Sequence, residues 1–152
     1  MSKFIDEPLV EPARGYFSQL CVLYTGIASG TVAPIPSDVV PTPNYHMGMR
    51  DGYHVVVAHL ASSRTLLEAA EKCSAFGRGV EERGDAHPYG LDWCLGFAQA
   101  TRDASADIAM YAAAGTLPTV DKARLKSART AARHITPLPN AWPAPKSTKN
   151  SW

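Results

Sequence analysis

The chain has 152 residues and a mass of 16.3 kDa, near the common size of one domain, so a core can form without disulfides or metal. A hydrophobic share of 45% and a charged share of 19% exclude collagen-like, wholly disordered and coiled-coil classes. The net charge of +1 hides an uneven distribution: residues 1–120 hold 8 Lys/Arg against 13 Asp/Glu, whereas residues 121–152 hold 7 basic residues and one acid, Asp121. Such a sign difference points to an acidic partner or to pairing within the molecule.

In chain order, the first ten residues read as an arm leading to a helix over about 12–28, with Pro12 in its first turn, where a missing N–H costs nothing. Tyr16, Phe17, Leu20, Cys21, Leu23, Tyr24 and Ile27 fill a wide arc of that helix, which predicts burial on more than one side. Gly30 ends it. Residues 15–37 carry no charge, but Ser18, Gln19, Thr25 and Ser29 dilute the run and Pro34 and Pro36 cut it. Neither a membrane span nor a signal peptide is therefore expected.

Pro34, Pro36, Pro41 and Pro43 make residues 31–45 an extended segment in which helix and central strand are both blocked. The loop is expected to run over 31–50. A second helix is then predicted from Asp51, as its cap, to about Ala75, stopped by Gly77 and Gly79. Residues 77–87 read as a charged glycine-rich loop in which Glu81 and Glu82 face water. Pro88 opens a third helix over 88–114, with Trp93, Cys94, Phe97, Ala104, Ile108 and Tyr111 on one stripe and Asp92, Gln99, Asp103 and Asp107 along an acidic edge. Gly115 and Pro118 turn the chain into a fourth helix over about 119–135. Prolines return in the tail at Pro137, Pro139, Pro143 and Pro145. No segment alternates with period two, so the expected fold is all-α: a small four-helix bundle-like domain over 1–135, with a proline-rich extended loop, followed by a proline-rich basic C-terminal arm over 136–152.

The fourth helix carries the main functional signal. At 100° per residue Lys122, Lys126, Arg129 and Arg133 form one stripe about 60° wide and roughly 16 Å long. Leu125, Ala128, Ala132 and Ile135 lie on a neighbouring arc suited to docking on the bundle. Lys146 and Lys149 add charge in the tail, and Trp142 and Trp152 add stacking surfaces. Four outcomes follow for the stripe: a merely solvated face, an acidic protein surface, a nucleic-acid backbone, or neutralisation from within by Asp103 and Asp107 across the turn at 115–118. The proline segments are either ligands for grooves on a partner or covers on their own bundle.

Catalytic signals are weak. The cysteines Cys21, Cys73 and Cys94 have no C-x-x-C spacing and read as reduced thiols in a reducing, cytoplasmic setting. Cys94 follows His87 by seven residues beside Asp92, but sits on the apolar stripe, which favours a buried structural thiol over a nucleophile. His54 and His59 are wrongly spaced for a shared metal, and His59 reads as a satisfied core histidine. No nucleotide loop or nucleophile elbow occurs. No metal or other cofactor is expected. The resulting expectation is a non-enzymatic protein-binding module, a subunit, adaptor or inhibitor of a larger assembly, in the style of small accessory proteins of viruses and mobile elements. Its contact residues would be Lys122, Lys126, Arg129, Arg133, Trp142, Lys146 and Lys149. A nucleic-acid-binding accessory protein is the second expectation, and a thiol or metal enzyme the third.

Overall fold

A computed structural model describes residues 7–134 apart from 37 and 39, with the side chains of 7, 8 and 131–134 left out. The described residues are all-helical, with no strand. Five α-helices follow one another: α1 (Glu7–Ala28), α2 (Pro43–Ser62), α3 (Leu66–Arg83), α4 (Leu91–Ala114) and α5 (Lys122–His134), with a 3-10 turn at Gly84–Ala86 between α3 and α4.

Helix α1 starts at Glu7, five residues before the expected Pro12, and contains Pro12 within it. Tertiary packing outweighs the lost N–H there: Val10 and Ala13 are buried, and the Tyr111 hydroxyl donates to the Leu9 carbonyl at 2.9 Å. The other end follows the sequence. Gly30 adopts φ +84°, and its N–H bonds the Ile27 carbonyl while that of Thr31 bonds the Gly26 carbonyl. This is the paired closure that a left-handed glycine permits.

The single helix expected over 51–75 is instead two. Pro43 occupies the first turn of α2 and the Thr42 hydroxyl accepts from Tyr45 N–H, so the loop ends at residue 42 rather than 50, and Asp51 lies mid-helix instead of capping. The break falls at Ser63, Arg64 and Thr65. There the Thr65 hydroxyl accepts from Glu68 N–H at 3.0 Å and the Glu68 carboxylate accepts from Arg64 N–H at 2.9 Å, a reciprocal cap written in the sequence as Thr-Leu-Leu-Glu. It resets the helical phase, leaving Leu66 fully buried and Leu67 58% exposed. Gly77 and Gly79 do not stop α3. The predicted glycine-rich loop is helical to Arg83, and Gly84 at φ +45° ends it.

Helix α2 has the most partners. It packs on α4, α1 and α3, while α4 also packs on α3 and α1 carries α5. A Cβ at Gly48 of α2 would collide with the Trp93 carbonyl oxygen, and one at Gly96 of α4 with that of Tyr45. One at Gly52 would stand 2.8 Å from Ala100 Cβ. The α2–α4 contact is thus backbone against backbone, and Gly77 of α3 gives the same close approach to Thr101. The main core spans all five helices. A second cluster of Val55, Val80, Trp93, Cys94 and Phe97 forms around the N-terminal half of α4. No helix among the described residues is long and apolar enough to cross a membrane.

Candidate functional site

Asp121, the one acid of the C-terminal segment, accepts from the N–H groups of Ala123 and Arg124 and so caps α5. Leu125 and Ala128 are buried, with Ala128 pressed against Gly26 of α1, where only a hydrogen fits. Docking that face turns the other outward: Lys122, Lys126 and Arg129 are exposed. Arg124, off the stripe, donates to the Ala33 carbonyl and ties α5 to the segment after α1. Of the remaining predicted contact residues, Arg133 is described by its backbone alone, and Trp142, Lys146 and Lys149 lie outside the described residues together with Ile135, Trp152 and the rest of the arm.

Internal neutralisation by Asp103 and Asp107, one of the open alternatives, finds no support in the packing. Helix α5 lies on α1, not beside α4 as the short turn suggested, and among the described residues no ion pair joins either aspartate to Lys122 or Lys126. The described residues between α1 and α2 rest on their own helices: Val32 is buried and Ile35 and Val40 pack on the core, while Pro34, Pro36 and Pro41 face solvent.

The acidic edge of α4 has a different role from the one expected. Together with α1, α2 and the segment before α2 it encloses a cavity of about 390 Å³. Its aromatic walls are Tyr16, Tyr24, Tyr45 and Tyr53, and Leu20, Ile35 and Met49 supply apolar surface. The polar groups are Asp38, Gln99 and Asp103. Asp38 is anchored by His46 at 2.8 Å, both side chains being more than nine-tenths buried. The His46 ring is held in turn between Tyr24 and Tyr45, with centroids 5.9 and 5.7 Å away. Asp103 accepts from the Gln99 amide at 2.8 Å and stands at the exposed rim.

The electrostatics of this cavity are one-sided. Burial raises the Tyr16 hydroxyl to about 12, with Asp107 and Asp103 adding to the rise. Burial and then Asp38 raise Tyr24, and burial, Tyr24 and Asp103 raise Tyr53. The carboxyl of Asp103 is itself pushed up, by burial first and with Asp38 contributing. Among the described residues no Lys or Arg lines the space. Arg102, whose field reaches Asp103, directs its guanidinium to Glu81 at 3.1 Å and to Gln99 at 3.3 Å.

Nearer the start of α4 a buried carboxylate of α2 holds the helix pair. Asp51 accepts from Trp93 Nε1 at 2.8 Å and from Arg50 at 2.8 and 2.5 Å. Burial raises its carboxyl, and the Arg50 and Trp93 bonds pull against that rise.

The thiols are poor nucleophiles. Burial pushes Cys94 to about 11 and Cys21 and Cys73 to about 12. His59 departs from the satisfied core histidine expected: its ring is half-buried against Phe76, and its Nε2 has no hydrogen-bond partner among the described residues. Among those residues no three His, Cys, Asp or Glu side chains gather as a metal-binding group. Compared with known protein families, with curated proteins and with solved structures, the chain matches none.

Proposed function

We propose that the chain is a non-enzymatic binding module that docks the cationic face of α5 on an acidic surface of a protein partner, as a subunit, adaptor or inhibitor of a larger assembly. The observation that carries this reading is that α5 buries Leu125 and Ala128 on α1 and leaves Lys122, Lys126 and Arg129 exposed and outside every ion pair among the described residues. Three like charges on a helix fixed from behind form a preset pattern, and such patterns steer association and select partners. The raised thiols support binding over thiol chemistry. A protein partner is favoured over nucleic acid because residues 1–120 hold an excess of acids. A duplex with one charge per about 1.7 Å would bring many phosphates against that body, whereas a small acidic patch matches α5 alone.

The test is a capture experiment with the full chain, treated with nuclease and run at low and high salt, comparing the native sequence with the triple reversal Lys122→Glu, Lys126→Glu, Arg129→Glu. A nuclease-resistant protein held by the native chain should be lost, with affinity at least about tenfold lower for the reversal, and helical content unchanged by circular dichroism. Capture abolished by nuclease would transfer the face to nucleic acid. Equal capture by both chains would leave it merely solvated and end the proposal.

A further inference from the structure

We infer that the cavity enclosed by α1, α2, α4 and the segment before α2 is a binding site for a small organic ammonium ion. Its volume of about 390 Å³ falls in the range of small-molecule sites, roughly 300–1,000 Å³. Four tyrosines contribute to its walls, and Tyr24 and Tyr53 lie 5.8 Å apart in a tilted pair. Ring faces attract cations through their quadrupole, most strongly where water is excluded. Two carboxylates meet this aromatic lining at different depths. Asp38 is more than nine-tenths buried and fixed by His46, and Asp103 stands at the rim. A cation entering at Asp103 and resting against the rings and Asp38 would meet a carboxylate at each end of its path, with no Lys or Arg in the lining among the described residues to oppose it.

The chemistry of the lining decides the kind of cation. Hard metal ions take six or more oxygen ligands at short range. Here two carboxylates from separate elements are interleaved with rings and with Leu20, Ile35 and Met49, which can contact carbon but cannot coordinate a metal. An ammonium nitrogen carrying apolar carbon matches both features. An anion would face the two carboxylates, and a neutral molecule would gain nothing from them beyond a hydrogen bond, since Asp38 already pairs with His46 and Asp103 with the Gln99 amide.

The probes are choline and 2-phenylethylammonium, each beside its neutral counterpart, 3,3-dimethylbutanol and 2-phenylethanol, titrated into the full chain by two-dimensional NMR. Saturable shifts are expected at the Gln99 side-chain amide and at Asp38, Asp103 and Tyr24, with the neutral counterparts binding at least about tenfold more weakly. Asp103→Asn, a change at the exposed rim, should weaken cation binding several-fold, and Tyr16→Leu should do the same through loss of a ring. The α5 triple reversal should bind the amine as the native chain does, so failure of the partner-docking reading and failure of this one are separately visible. Absence of saturation by either cation up to about 10 mM, equal binding of the neutral compounds, or unchanged affinity in both variants would overturn the inference.

Discussion

Asp51 illustrates how a residue's role depends on its surroundings. An acid before an apolar run has the signature of a helix cap, yet Asp51 lies inside α2, 4% exposed, and accepts the Trp93 indole N–H across the helix pair. Its burial as a charge is unfavourable, so the uncharged isostere should be tolerated. Asp51→Asn, which keeps an acceptor for Trp93, is expected to change stability by about 1 kcal/mol or less, whereas Asp51→Ala, which removes the acceptor, should cost about 3 kcal/mol. Urea denaturation of the two variants at neutral pH separates these outcomes.

His87 gives a pH dependence of definite sign. Its ring stacks on Trp93 at 4.6 Å and its Nδ1 accepts from Tyr89 N–H at 3.1 Å, a bond that needs the unprotonated nitrogen. Burial, aided by Arg83, holds its pKa down to about 4 from an ordinary 6.5. Between those values the unfolded chain binds more protons than the folded one. The contribution of His87 is therefore complete above 6.5 and is lost as the pH falls toward 4. The raised carboxyls of Asp51, Asp103 and Asp107 act in the opposite sense, losing stability as the pH rises through their range. The informative quantity is hence the difference between the native chain and His87→Phe, which keeps a ring against Trp93. Denaturation midpoints measured at neutral pH and near pH 4.5 should show a smaller acid loss in the variant, and parallel losses would remove His87 from the account.

At the scale of elements, the glycines of α2 and α4 set the spacing of the bundle. Gly48 and Gly52 on one helix face Trp93, Phe97 and Ala100 on the other, and Gly96 faces Tyr45. An added methyl group at Gly48 or Gly96 meets backbone, which cannot rotate away. Gly48→Ala and Gly96→Ala should each destabilise by about 3 kcal/mol, despite the better helix propensity of alanine. Gly79→Ala, with open space around it, should be neutral or mildly stabilising in the same thermal melts.

Much of each element was legible in local chemistry. The apolar arcs of α1 and α4 and the stops at Gly30 and Gly115 stand as their residues indicate. The boundary between α2 and α3 was legible in principle, because Thr65 and Glu68 are three apart in a capping pattern, but the apolar residues on either side disguise it as one continuous helix. Gly77 and Gly79 misled for the opposite reason. Glycine marks either a helix end or a close approach, and the neighbour that decides between them, Thr101, is remote in sequence.

At the scale of the whole molecule, α5 among the described residues rests chiefly on α1 and on the Arg124 tie to Ala33. Elements with few partners open locally at low free energy. A bulky side chain at Gly26, where a Cβ would stand 2.8 Å from Ala128 Cβ and 2.9 Å from Val32 Cγ2, should release α5 without unfolding the rest. Gly26→Leu is expected to lose amide-exchange protection across 122–130 while α2 and α4 keep theirs. Global loss of protection would mean that α5 belongs to the cooperative core.

The sequence by itself determined the helical class, the buried arcs of α1 and α4 and the exposed run of Lys122, Lys126 and Arg129 on α5, because each is a matter of periodicity within one stretch of chain. It also located the reversal of charge sign at residue 121. Tertiary structure alone decided what those charges face. Asp103 and Asp107 share a helix edge that reads as solvent-facing, and a short turn suggested Lys122 and Lys126 as their partners. The fold places α5 on α1 instead, and joins Asp103 to Asp38, to Gln99 and to tyrosines from two other helices around a cavity. Local pattern fixes which side of a helix is apolar, but the field at a carboxylate depends on groups brought near it from distant parts of the chain.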